Sequence, residues 1–171
     1  MGSIRPGRFA LPLQVAAVCY RRRGRQIEFL LVRNSGGRKW TFPKGAPERH
    51  LSHSEAAQQE AMEEAGVLGS IEPQPFHLHI HSKGVFWQPG GVQEYVVKAF
   101  LLQVEGTRPP FEPERDPTWF NPQDAKQVLA KGREVKYAQE LGLVIDRALT
   151  RIGTPGDVRR NGANGEMLGS V

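Results

Sequence analysis

The chain of 171 residues is poor in several things, and each shortage excludes something. It has one cysteine, Cys19, which excludes a disulfide framework and a multi-thiolate zinc site within one chain. No apolar run approaches the ~20 residues that a membrane-spanning helix needs. Residues 9–20 come nearest to a signal-peptide core, but Pro12 and Gln14 break the run, Arg21, Arg22 and Arg23 follow it, and no small-residue cleavage site is clear. The segment reads as a strand, and the expected location is cytoplasmic. Acidic groups are scarce at the front. Residues 1–50 hold eleven Lys/Arg against two Glu, a balance of +9, whereas residues 51–171 hold twelve Lys/Arg against sixteen Asp/Glu, a balance of −4. A cationic front of this kind suggests an anionic partner: nucleic acid, an acidic membrane surface or a phosphorylated small molecule.

What is present is enough for a globular protein. An apolar content of 39% supports a core and is too high for a fully disordered chain. The length fits one domain, with a segment at residues 1–9, a packed body at 10–152 and a flexible tail at 153–171, where glycine, proline and polar residues leave little to pack. Residues 13–20 and 27–33 read as two strands joined by an arginine-rich turn at 21–25. Trp40, Thr41 and Phe42 form a short extended piece stopped by Pro43. Residues 52–65 are a helix, with Ser52 as N-cap, Glu55 completing a capping box, a stripe of Ala56, Ala57, Ala61, Met62 and Ala65, and Gly66 as the C-terminal stop. Longer strands follow at 71–82 and 93–105, separated by a loop at 83–92. A long loop covers 106–117. A short strand at 118–120 precedes helices at 122–130 and 134–152. This order predicts an α+β fold in which the 52–65 helix lies against a mixed sheet.

Glu60, Glu63 and Glu64 stand at i, i+3 and i+4 on that helix and so share a face. Like charges placed this way repel by a few tenths of a kcal/mol per pair. No lysine or arginine lies between Ser52 and Ala65 to offset them. A solvated acidic face is one reading. A site for a hard divalent cation is the other, because carboxylate oxygens are the ligands Mg²⁺ prefers. The preceding Phe42, Pro43, Lys44 and Gly45 favour the second: glycine lets a ligand or metal approach the backbone closely, and a lysine ammonium suits phosphate.

The whole run 45–67 resembles the Nudix box, G-x5-E-x7-R-E-U-x-E-E-x-G-U, where U is aliphatic. Gly45, Glu60, Ala61, Glu63, Glu64, Gly66 and Val67 fall in register. Leu51 stands where the motif has its first glutamate, Gln59 where it has arginine, and Ala61 is small for its slot. Elements on both sides, including Trp119 and Phe120 followed by a helix near Pro122, extend the likeness over roughly residues 10–150. The arrangement is most similar to the diphosphoinositol polyphosphate and diadenosine polyphosphate phosphohydrolases.

The resemblance implies a Nudix-type α/β/α sandwich and a metal-dependent hydrolase cleaving a phosphoanhydride bond in a nucleoside or inositol polyphosphate. It implies Glu60, Glu63 and Glu64 as catalytic and metal-binding residues, the Gly45 carbonyl as a further ligand, and Mg²⁺, with Mn²⁺ as an alternative, as cofactor. Lys44, Arg33, Arg38, Lys39 and Arg23 are the expected substrate contacts. The general base is open among the box glutamates and the distant Glu94, Glu112 and Glu114. The expected partner is a small polyphosphate, with neither membrane nor nucleic acid. Leu51 and Gln59 remove one charge of each sign, so a paired loss leaves no unpaired charge. They also support an alternative: a catalytically weak or silent Nudix-fold protein that binds nucleotide or nucleic acid as a regulator.

Other features admit several readings. His77, His79 and His81 alternate along one strand and share a face; they could hold zinc, contact phosphate or form a polar surface. His50 and His53 are expected to be local polar or capping residues. Trp40, Phe42 and Trp119 read as core, and Trp87 as a base-stacking candidate.

Overall fold

The computed structural model describes residues 10–84 and 91–164, with side chains described to Gly153. Its eight strands are β1 (Leu13–Arg23), β2 (Gln26–Arg33), β3 (Trp40–Thr41), β4 (Lys44–Gly45), β5 (Val67–Ile71), β6 (His77–Gly84), β7 (Val92–Thr107) and β8 (Thr118–Phe120). The helices are α1 (His53–Ala65), α2 (Pro122–Ala130) and α3 (Val135–Asn164). The sheet is mixed. β1 runs antiparallel to β2 and β4 and parallel to β7, and β7 pairs antiparallel with β5 and β6.

β1 explains the layering. Val15 to Tyr20 are all buried, the continuous apolar pattern of a strand covered on both faces. Ala16, Val18 and Tyr20 pack with Phe29, Leu31 and Phe42 against Leu129, Leu141, Val144, Ile145 and Ile152 of α2 and α3. Val15, Ala17 and Cys19 pack with Leu30, Phe100 and Leu102 against Ala56, Ala57, Ala61 and Ala65 of α1. One sheet between α1 and the α2–α3 pair is an α/β/α sandwich. The alanines matter because small side chains bring α1 close to the sheet. Burial pushes the Cys19 thiol far above its usual range, which leaves it unreactive.

α1 begins and ends as the sequence predicts. Ser52 accepts the Glu55 N–H at 3.1 Å and Glu55 Oε1 accepts the Ser52 N–H at 3.1 Å. Gly66 closes the helix in the left-handed region, at φ 65°.

Four boundaries differ from the sequence reading. The expected strand at 71–82 is two strands, because Pro73 and Pro75 interrupt it. β5 and β6 then follow one another along the same edge of β7, bridged by the Glu72 and Phe76 N–H groups bonding to Leu101 and Ala99 carbonyls. The expected turn at 21–25 shrinks to Gly24 and Arg25, since Arg23 pairs with Gln26 and Gly24 takes φ 64°. β6 and β7 reach into the 83–92 loop; Trp87 lies outside the described residues. α3 continues past 152 to Asn164. Ile152 is its last buried side chain among those described.

Candidate active site

At the N-terminal end of β1 the chain opens into a cleft of about 610 Å³. Its position follows from β4. Lys44 and Gly45 pair with Ala16 and Val15, which holds the Pro43-Lys44-Gly45 loop against the central strand and under α1. Its lining carries an acidic cluster, Glu60 and Glu64 from α1 with Glu112 from the loop after β7. It also carries cations, Lys39, Lys44, Lys83, Arg115 and Arg133, with His81, Glu134 and Tyr137 among them.

The acidic cluster is tightly built. A Cβ on Gly45 would fall within the Glu60 carboxyl group, so a glycine is required for that side chain to lie where it does. Glu64 is 4% exposed, and its Oε2 accepts the Lys44 N–H at 3.3 Å. Arg115 Nη2 lies 3.6 Å from Glu64 Oε1. Burial, reinforced by Glu63, Glu112 and Glu48, pushes the Glu60 carboxyl up to about 7. Burial also pushes Glu64 up to about 7, against the pull of Arg115 and Lys44. Among the cations, burial brings Lys44 down to about 8 and Arg133 down to about 10. Arg133 spans the helix pair and the sheet: Nη1 donates to the Leu129 carbonyl and Nη2 to the Trp40 carbonyl at 2.7 Å.

The structure brings together some of the expected residues and separates others. Lys39, Lys44, Gly45, Glu60 and Glu64 line the cleft. Glu63 does not; its Oε1 accepts Gln59 Nε2 at 3.0 Å, so the amide that replaces the motif's arginine turns it along the helix. The Glu63 charge still reaches Glu60, whose carboxyl it helps to raise. Among the described residues no three His, Cys, Asp or Glu side chains form a metal-holding group, and this also counts against zinc on the three histidines. The donors that face the cleft still fit a hard divalent ion held by two carboxylates and completed by water and phosphate.

Arg33 is diverted. Its guanidinium lies 4.2 Å over Trp40, and Nε lies 3.7 Å from Asp116 Oδ2. Arg38 is exposed outside the cleft. Arg23 is further away: it sits eight positions along β1 from Val15, roughly 26 Å at ~3.3 Å per residue. Its neighbour Arg21 pairs with Glu28 at 2.9 Å and covers Trp119 at 4.0 Å. The hairpin arginines therefore occupy the opposite end of the sheet from the cleft. Of the distant acids, Glu112 reaches the cleft, Glu94 accepts the Tyr137 hydroxyl at 3.0 Å, and Glu114 is exposed outside it. Arg115, Arg133, Lys83 and Tyr137 escape the sequence reading, because nothing local in the sequence ties them to the box.

The histidines divide. His81 lines the cleft, whereas His79 is 4% exposed with no partner for Nδ1. Burial, then His77 and Lys44, bring His79 down to about 3. Below the ordinary imidazole range the unfolded chain takes up a proton and folded His79 does not, so this residue lowers stability as pH falls. Between pH 8 and pH 5 the loss is about 2 kcal/mol. His79→Leu is expected to gain that amount on wild type over the same interval, read from urea unfolding at the two pH values.

The geometry is matched by known proteins. The NUDIX domain family profile matches residues 11–141. Nudix hydrolase 17, mitochondrial, of Arabidopsis thaliana is 28% identical over 130 residues, covering 76% of this chain and 68% of that protein. Nudix hydrolase 4 of the same plant is 32% identical over 102 residues, 60% of this chain and 47% of that one. The chain thus spans about half to two thirds of these relatives. Among solved structures, C. elegans Ap4A hydrolase superimposes with a TM-score of 0.59 at 18% identity, covering 84% of this chain and 99% of that one. The NUDIX domain of Shewanella oneidensis NrtR complexed with ADP ribose does so at 0.56 and 20%, covering 86% and 93%. An α/β/α sandwich with an acidic helix over a glycine-ended loop defines a class, and the family match fixes it. The chain belongs to the Nudix hydrolase family.

Proposed function

We propose that this protein is a divalent-metal-dependent hydrolase that cleaves a phosphoanhydride bond in a polyphosphorylated small molecule, of the diadenosine polyphosphate or diphosphoinositol polyphosphate type. The observation that carries the reading is one cleft lined both by the carboxylates Glu60, Glu64 and Glu112 and by the cations Lys39, Lys44, Lys83, Arg115 and Arg133. The likeness to a solved Ap4A hydrolase supports it at the level of fold.

Glu60 and Glu64, with the Gly45 carbonyl as a further donor, would hold the ion. Bound there, Mg²⁺ or Mn²⁺ would neutralise phosphate oxygens and acidify a water molecule. The chain's own groups do the rest. Lys44, beside Glu64, and Lys39 would bind and orient the phosphates. Arg133, fixed by two backbone carbonyls, presents a charge that needs little reorganisation. Glu112, carried into the cleft by the loop after β7, would accept a proton from attacking water. Gly45→Ala is expected to displace the Glu60 carboxylate and lower kcat/KM by about tenfold, measured on whichever polyphosphate is turned over fastest.

A substrate panel with Mg²⁺ and Mn²⁺, scored by product as orthophosphate, pyrophosphate or nucleotide, tests the proposal. Substrates with more phosphates should be preferred; a nucleoside diphosphate sugar as best substrate would count against the role of the cleft cations. The second reading, a binding protein without turnover, draws on Leu51, Gln59 and the exposed hairpin arginines outside the cleft. Shewanella oneidensis NrtR, which shares the fold, has been solved with a 27mer DNA. Tight nucleotide or DNA binding without hydrolysis of any polyphosphate would select it.

A further inference from the structure

The box helix carries no lysine or arginine between Ser52 and Ala65, and it has Gln59 in the arginine slot. The carboxylates it buries nevertheless have a cation. Arg115 Nη2 lies 3.6 Å from Glu64 Oε1 and 3.4 Å from Glu112 Oε1, and its Nη1 donates to the Arg33 carbonyl at 3.3 Å. The Arg115 side chain is 18% exposed and that of Glu64 6% exposed.

This placement is fixed by the backbone. The end of α1 leaves carbonyls without helical partners, and the loop after β7 supplies donors to them. Arg108 N–H bonds to the Gly66 carbonyl at 2.8 Å, and the Phe111 and Glu112 N–H groups bond to the Glu63 carbonyl at 3.0 and 3.3 Å. A short 3₁₀ turn, Pro113–Arg115, then returns the chain toward the cleft. The loop that finishes the box helix thus brings both a carboxylate, Glu112, and a guanidinium, Arg115, onto Glu64.

We propose that Arg115 is the resident counter-cation of the cleft: it neutralises Glu64 and Glu112 while no divalent ion is bound, competes with that ion for the same oxygens, and so sets the metal concentration at which the site fills. The inference rests on the metal-dependent reading above. Both Glu64 oxygens are already engaged, one by Arg115 and one by the Lys44 N–H. A divalent ion must therefore displace or share with a fixed positive charge in a region that salt screens weakly.

The test is Mn²⁺ binding to the full chain without substrate, followed by the electron paramagnetic resonance signal of free Mn²⁺. Arg115→Met should bind Mn²⁺ about threefold tighter or more, as removal of a nearby like charge requires. Arg115→Lys keeps the charge and should stay close to wild type. Unchanged or weaker binding by Arg115→Met overturns the proposal. Circular dichroism checks the fold, and Arg115→Gln, which retains N–H donors for the Arg33 carbonyl, replaces the methionine variant if that one does not fold. The underlying reading fails separately. A wild type that binds no Mn²⁺, or a Glu64→Gln variant that binds it as tightly as wild type, removes the metal site itself. Binding that depends on Glu64 but ignores Arg115 removes the counter-cation alone.

Discussion

Glu64→Gln is expected to lower kcat by about a thousandfold, ~4 kcal/mol of transition-state stabilisation, without lowering Tm at pH 8. The two halves of that expectation have different causes. Glu64 is the buried acid of the cleft and lies between the Lys44 N–H and Arg115. The amide has the same shape and no charge, so it holds a cation poorly and gives nothing to the electrostatics of the reaction. Stability runs the other way. A carboxyl raised to about 7 by burial destabilises the fold once pH exceeds its ordinary range, with the full effect above the folded value. At pH 8 wild type carries that penalty and the amide does not, while Arg115 keeps Glu112 as a partner at 3.4 Å. Steady-state rates and a thermal melt on the same preparation check both. A Glu64→Gln variant at the wild-type rate would show that the site is misassigned.

Gly66→Ala is the largest expected effect on stability, about 3 kcal/mol, or roughly 10 °C in Tm. Gly66 sits at φ 65°, where an L side chain is strained, and its Cβ would meet the Arg108 carbonyl oxygen. That oxygen is backbone and has no rotamer to move, so the loop after β7 must shift. Because the same loop delivers Glu112 and Arg115, activity should fall beyond what instability explains. Rates measured well below the variant's Tm separate the two. A variant with wild-type Tm would show that the loop is not docked on α1 as described.

The parts of this molecule legible in the sequence are those written locally. Ser52, Glu55 and Gly66 set the ends of α1 through contacts within a turn of each end. The apolar run of β1 identifies a strand covered on both faces. Lys44 and Gly45 lead directly into the helix that they serve. The parts that were not legible depend on where distant segments meet. Residues 21–25 look like a cationic grip for substrate, but the β1–β2 register carries them to the far end of the sheet. Glu63 belongs to the motif by spacing, but spacing does not show that the amide four residues earlier holds one of its oxygens. Arg115 lies in a proline-rich loop with no helical or strand signal, and only the docking of that loop on the end of α1 brings it to Glu64. Arg133 lies between two helices and becomes part of the cleft because α2 packs on β2 and β3 while α3 packs on β6. The histidines share a face as their alternation requires, but helix α3 covers His79 and leaves His81 in the cleft.

In the proposed function, the carboxylates and cations that line one cleft together make it the site of metal-dependent phosphoanhydride hydrolysis. The most direct measurement is the rate at which wild-type protein cleaves a diadenosine polyphosphate as Mg²⁺ is titrated from zero. The account predicts no turnover in chelator, a rate that rises and saturates with Mg²⁺, and a phosphate-containing product that identifies the anhydride broken. A protein that binds the metal and the polyphosphate yet releases no product at any Mg²⁺ concentration would contradict it.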